Sequence, residues 1–136
     1  MHILYHLIIS FLFALGVFVC FKKYLHHSFW VIILIITLSG IIIDLDHVAY
    51  YGSKYGFDGI NEALKDFRDH THHFYFMHTV EFLILIGVIA YFYRLFILVW
   101  AGICLHLSLD FATHLSYNIG WAWLKYYSWI SYFFFR

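Results

Sequence analysis

CLHLSLDFATHLSY, residues 104–117, carries His106, Asp110 and His114 at intervals of four. A helix turns once every 3.6 residues, so this spacing stacks the three side chains on one face. The stretch lies inside an apolar run that begins near Leu95. A strip of imidazole, carboxylate and imidazole inside an apolar helix is costly unless it is paired or metal-bound. The rest of the chain supplies the partners for that strip.

The 136 residues suffice for one domain, 1–136. They are 64% hydrophobic, 24% aromatic and only 12% charged, where a soluble domain averages about 45–50% apolar and about 25% charged. This composition predicts a chain solvated by lipid. The formal net charge is zero and there is no basic run, which argues against a nucleic-acid partner. There is no proline to force a helix to break. Cys20 and Cys104 both lie in apolar stretches and read as packing residues rather than a disulfide. The first apolar run lacks a basic leader and a small-residue cleavage site, and it is too long for the core of a signal peptide.

Four stretches are apolar and near the roughly 20 residues a membrane span needs: 3–21, 29–43, 74–93 and 95–117. Lys22 and Lys23 end the first, and His26 and His27 lie in the turn that follows. Residues 50–73 are polar and are loosened by Gly52, Gly56 and Gly59. Within them NEALKDFRD, 61–69, is expected to form a short surface helix. The tail WAWLKYYSWISYFFFR, 121–136, is apolar and aromatic on all sides. At about 15 residues it is short for a span, and Trp and Tyr collect at membrane interfaces. The expected fold is therefore all-α: an integral membrane bundle of four transmembrane helices plus a C-terminal aromatic interfacial helix, with a fifth span as the alternative.

Depth ties these spans together. The start of span one, the end of two, the start of three and the end of four share one membrane face. With about 1.5 Å rise per residue and a roughly 30 Å core, His6 lies about 5 Å below that face, and Asp44, Asp46 and His47 about 3–8 Å. His78 and Glu81 come out near ~6 and ~10 Å, and His106, Asp110 and His114 near ~14, ~8 and ~2 Å. Every ionisable residue inside an apolar span thus falls in one slab. Nine of the eleven histidines lie on that side, while Trp30 and Trp100 lie on the other. Random scatter of polar residues would not bring four separate segments to one depth.

The candidate metal ligands are His6, Asp44, Asp46, His47, His72, His106, Asp110 and His114. The DLDH run, 44–47, offers two alternating carboxylates and an imidazole that can bridge a metal pair. His78 and Glu81, one helical turn apart, are read as ligands or as a base with its orienting partner. Arg68 in RDHTHH, 68–73, suits a phosphate group. Each has a plainer reading: a hydrogen-bond network gluing the bundle, a helix end among headgroups, a self-satisfying buried pair, a solvated loop, and for His6 a satisfied buried histidine. A set of histidines and carboxylates without thiolates suits a divalent cation, zinc ahead of manganese or iron, as one or two ions.

These motifs resemble those of the YdjM-like membrane-bound metal-dependent hydrolases. That family's pattern is an early His, then Pro-Asp-Leu-Asp-His, then His-Arg-x-x-Thr-His-Ser, then Gly-x-x-x-His-x-x-x-Asp-x-x-Thr. His6 resembles the first element. Asp44, Leu45, Asp46 and His47 match the second, with Ile43 in place of the proline. Arg68, Thr71 and His72 match the third, with Phe67 and His73 in place of its first His and its Ser. Gly102, His106, Asp110 and Thr113 match the last, so the resemblance runs in order from His6 to Thr113. It implies a multi-pass membrane protein with a divalent metal and hydrolase activity. A more distant similarity to zinc-dependent phospholipases C implies a phosphoester substrate.

Three functions compete. The first is a membrane-embedded hydrolase of a lipid phosphoester or ester. In it Glu81 or a DLDH carboxylate acts as base, His78 stands beside the reaction, and Arg68 holds an anionic headgroup. The second is a non-catalytic subunit of a membrane complex that holds a structural metal in a closed shell. The third is a proton or ion path, against which the far half of each span is purely apolar. The expected partners are membrane lipid, a phospholipid-like substrate, and an oligomer or larger membrane complex. The expected location is the plasma or inner membrane, multi-pass. The lysine pair after span one leans towards a cytoplasmic turn there, with the site facing outward.

Overall fold

A computed structural model describes residues 3–25, 27–65, 74–116 and 127–134. Among the described residues the regular structure is entirely helical. The helices are α1 (Ile3–Phe21), α2 (Phe29–Ile42), α3 (Leu45–Lys65), α4 (Val80–Phe92), α5 (Phe96–Ser116) and α6 (Trp129–Phe134).

With no proline at residue 43, α2 passes into α3 through a single tight turn. Asp44 N–H donates to the Ile41 carbonyl at 3.0 Å, and the Asp44 carbonyl accepts from His47 N–H at 3.1 Å and Val48 N–H at 3.3 Å. DLDH is therefore a helical joint, which holds its side chains at defined angles. The helix then runs past Gly52, and only Gly56 departs from it, with φ 65° and ψ −149°. That left-handed conformation is one that glycine adopts without steric cost. The polar stretch after His47 is thus more helical than its glycines suggest. Residues 66–69 of the expected surface helix lie outside the described residues.

The third apolar stretch also differs from expectation. It begins with a 3-10 turn at Phe76–His78, and α4 starts only at Val80. Thr79 between them is extended, with φ −102° and ψ 153°. Its hydroxyl accepts from Phe82 N–H at 3.3 Å and donates to the Phe76 carbonyl at 2.9 Å. This N-cap satisfies backbone groups at the helix start. It also separates His78 from Glu81, so the two do not share a helix face. Of the tail expected to form an interfacial helix, the described residues include the six-residue α6, and residues 121–126 and 135–136 lie outside them.

Helix α2 packs on both α1 and α5, α5 packs on α4, and α1 touches α5. Ala14, Ile32, Ile33, Ile36 and Leu98 form an apolar core. It lies towards the end of α1 and the beginnings of α2 and α5, leaving the opposite ends for polar residues. The α2–α5 crossing depends on small residues. A Cβ on Gly102 would collide with Ser39 Oγ and stand 2.5 Å from the Ile36 carbonyl oxygen. A Cβ on Gly40 would stand 3.2 Å from Ser10 Oγ and 4.0 Å from the His106 Cβ. Close approach of small residues is the usual basis of helix association in lipid, where apolar burial gives no drive between helices.

Polar residues are buried beside the apolar core, and many large apolar residues face outward. His6, Ser10, Ser39, Asp44, His47, His78, Thr79 and His106 are buried. Leu12, Val19, Leu34, Ile84, Tyr91 and Ile97 are exposed on the outer faces of α1, α2, α4 and α5. The helical stretches Phe29–Gly59 and Phe96–Thr113 are long and apolar enough to cross a membrane, while Tyr5–Phe21 and Val80–Phe92 are apolar and shorter.

Candidate metal centre

Four segments bring imidazoles and carboxylates to one point. Helix α1 contributes His6, the α2–α3 joint Asp44, Asp46 and His47, the 3-10 turn His78, and α5 His106 and Asp110. The i, i+4 spacing on α5 places His106 Nε2 3.1 Å from Asp110 Oδ2. The other oxygen of Asp110 is 3.1 Å from His6 Nε2, and the His6 and His106 rings stack at 4.2 Å. Across the α2–α5 crossing, His106 Nε2 is 3.3 Å from Asp44 Oδ1. His78 Nε2 is 3.5 Å from Asp44 Oδ1, 3.6 Å from Asp110 Oδ2 and 3.3 Å from His47 Nε2.

Two groups of three can each hold a metal ion: His6, His106 and Asp110, and Asp44, His47 and His78. The chemistry of the donors fits a cation. A carboxylate only accepts, so the 3.2 Å contact between Asp46 Oδ2 and His78 Nδ1 places the ring proton on Nδ1. In its neutral form His78 then directs its Nε2 lone pair towards Asp44, Asp110 and His47. His106 Nε2 is fully buried and stands near two carboxylate oxygens, yet it makes no hydrogen bond. Atoms about 2.0–2.2 Å from a common zinc ion stand about 3.3–3.6 Å apart in a tetrahedron. The separations here, 3.1–3.6 Å, are of that size.

The other candidate residues fall elsewhere. Asp46 belongs to neither group. Its Oδ2 accepts from Met77 N–H at 2.9 Å and from His78 Nδ1, so it sits behind His78 and orients it. Glu81 points to the tail, where Oε1 accepts from Ser128 Oγ at 2.5 Å and from Ile130 N–H at 3.3 Å. Glu81 thereby anchors α6, together with Phe76 stacked on Trp129 at 4.6 Å. His114 lies on α5 one turn beyond Asp110; its side chain, Arg68 and His72 are outside the described residues.

Two contributors escaped the sequence reading. Tyr75 stacks on His47 at a centroid distance of 3.6 Å and fixes the plane of that ring. Nothing distinguishes it in sequence from neighbouring Phe74 and Phe76. Thr79 aims His78 inward, and its signal was available: a threonine just before an apolar run is an N-cap pattern. Near the carboxylates, burial and the Asp110 charge both push the Tyr127 phenol above its ordinary value, so it stays a neutral O–H.

The imidazoles of His6, His47, His78 and His106 are buried, whereas the side chains of Asp110 and Asp46 remain 14% and 13% exposed. Asp44 is buried with the imidazoles, so the exposed edge of the centre is at Asp110 and Asp46. Comparison of the chain with protein-family models, characterised proteins and solved structures returns no match.

Proposed function

We propose that this chain is a membrane-embedded, metal-dependent hydrolase of a lipid ester or phosphoester. The convergence of six buried or nearly buried ligand-type residues from separate apolar segments carries this reading. Helices α1, α2, α4 and α5 are taken as four membrane spans and α6 as an interfacial helix. The exposed aliphatic faces and polar interior support that arrangement. Helix α4, 13 residues or about 20 Å, reaches across a roughly 30 Å core only with the chain that leads into it. The ordered resemblance from His6 to Thr113 to the YdjM-like hydrolases favours the same function.

His6, His106, Asp110, Asp44, His47 and His78 would hold the metal, zinc first by donor type. A divalent ion held there supplies Lewis-acid chemistry, polarising the ester and making water nucleophilic at neutral pH. The chain's own residues exclude bulk water, because the imidazoles are buried beneath an apolar bundle. Asp46 is the carboxylate placed to take a proton: its Oδ1 is buried, accepts no hydrogen bond, and lies 3.8 Å from His47 Nε2. Glu81, tied to Ser128, holds the tail instead. The non-catalytic reading needs a closed shell, and the partial exposure of Asp110 and Asp46 weighs against it.

The test uses the full chain purified in detergent. Elemental analysis should find divalent metal in the wild type and its loss in Asp110→Ala, and the metal-loaded protein should hydrolyse at least one member of a panel of lipid esters and phosphoesters. Metal-loaded protein inert across the panel refutes the enzyme and leaves the structural subunit. Metal-free wild type after zinc loading refutes both.

A further inference from the structure

The two ligand groups are not separate sites. Asp44 belongs with His47 and His78, yet its Oδ1 also reaches His106 of the other group at 3.3 Å. Asp110 belongs with His6 and His106, yet its Oδ2 also reaches His78 at 3.6 Å. Each carboxylate thus faces two imidazoles of its own group and one of the other. The imidazoles divide differently: His6 Nε2 lies 3.1 Å from Asp110 Oδ1, and His47 Nε2 lies 3.3 Å from His78 Nε2. One ion cannot use all of these atoms, since a tetrahedral ion takes four ligands and the cluster offers four ring nitrogens and two carboxylates.

We infer that the cluster is a two-ion centre in which Asp44 and Asp110 bridge both ions and across which a phosphate group binds. This rests on the metal reading above. One ion takes His6 and His106, the other His47 and His78, and each shares the two carboxylates. Both ions then have two nitrogen and two oxygen ligands, a mixed set that suits zinc or manganese. Paired ions about 3.5–4 Å apart are a recurring device for clamping both oxygens of a displacement at phosphorus. The charge points to the same ligand class. Two divalent ions bring four positive charges, and among the described residues at the centre Asp44, Asp110 and Asp46 bring three negative ones with the imidazoles neutral. The remaining positive charge lies in apolar surroundings, where an unpaired charge is strongly disfavoured. An anion arriving at the partly exposed edge by Asp110 and Asp46 neutralises it, as a phosphoester would and a neutral carboxylic ester would not.

The full chain in detergent is loaded with manganese(II) alone, and bound metal and the electron paramagnetic resonance spectrum are recorded. Two ions per chain with an exchange-coupled spectrum are expected, and inorganic phosphate should change that spectrum. His6→Ala and His47→Ala should each fall to one ion with an uncoupled six-line signal. Asp44→Asn and Asp110→Asn should weaken both ions together. Circular dichroism and monodispersity identify any variant that has not folded, and the wild-type spectrum decides the matter without them. One uncoupled ion in the wild type overturns the two-ion centre and leaves the metal reading intact. No bound ion overturns both. Two uncoupled ions overturn the bridging carboxylates, and a coupled spectrum indifferent to phosphate overturns the phosphate assignment.

Discussion

Gly102→Ala should damage the centre without touching a ligand. The new methyl collides with Ser39 Oγ and stands 2.5 Å from the Ile36 carbonyl oxygen, where ordinary contact begins at 3.4 Å. Neither obstacle is a loose side-chain end: the carbonyl is helix backbone, and Ser39 Oγ donates to that same carbonyl at 2.9 Å. Helices α2 and α5 must therefore separate by about 1 Å, and inserting one methyl into a packed contact costs about 1–3 kcal/mol. The same movement draws His106, one turn along α5, away from Asp44, from which it is now 3.3 Å. A misplaced ligand of this kind lowers metal affinity by roughly 10–100-fold, the range seen when supporting contacts are lost. The measurements are zinc affinity by competition with a chelator and thermal unfolding by circular dichroism, both in detergent. Gly16→Ala is the control. It lies inside α1 with nothing within 4 Å of its Cβ position, so alanine should be neutral or stabilising by about 0.5–1 kcal/mol. Equal behaviour of the two variants would refute the close α2–α5 crossing as the support of the site.

Asp46→Asn should weaken zinc binding by roughly 10–100-fold, because it disturbs the acceptor that fixes the tautomer of His78. Unchanged affinity would show that Met77 and the turn alone set that ring. Glu81→Gln should leave bound metal unchanged while loosening α6, costing about 1 kcal/mol for the altered hydrogen bonds to Ser128 and Ile130. Hydrogen exchange around residues 128–134 should rise; metal loss, or no change there, would contradict the anchoring role.

The meeting of His6, Asp44, His106 and Asp110 was legible in the sequence because it needs only a fixed helical rise and alternating directions. Axial position along a helix is a local property, and it survives ignorance of tilt and rotation. The split between His78 and Glu81 was not legible in that way. It depends on one extended residue, Thr79, and a three-residue spacing reads as a shared face until the helix start is known. Asp46 is similar: alternation places it beside Asp44, but its direction follows from the Met77 N–H, 31 residues away. The continuation of α2 into α3 opposed the glycine count, since Gly52 stays helical and only Gly56 takes a positive φ. Tyr75 on His47 is a purely tertiary contact, and sequence gives no reason to prefer it to the aromatic residues beside it.

Chain order gives the two ligand groups a further property. The segment before residue 66 carries His6, Asp44 and His47, and the segment after residue 73 carries His78, His106 and Asp110. Yet neither group is drawn from one segment: His6 joins His106 and Asp110, while His78 joins Asp44 and His47. The ligands are interleaved, so neither half of the polypeptide can assemble either group alone. During synthesis the group with His6 stays incomplete until α5 brings His106 and Asp110, whereas the group with Asp44 and His47 needs only the turn that bears His78; each is completed by docking that spans the two halves.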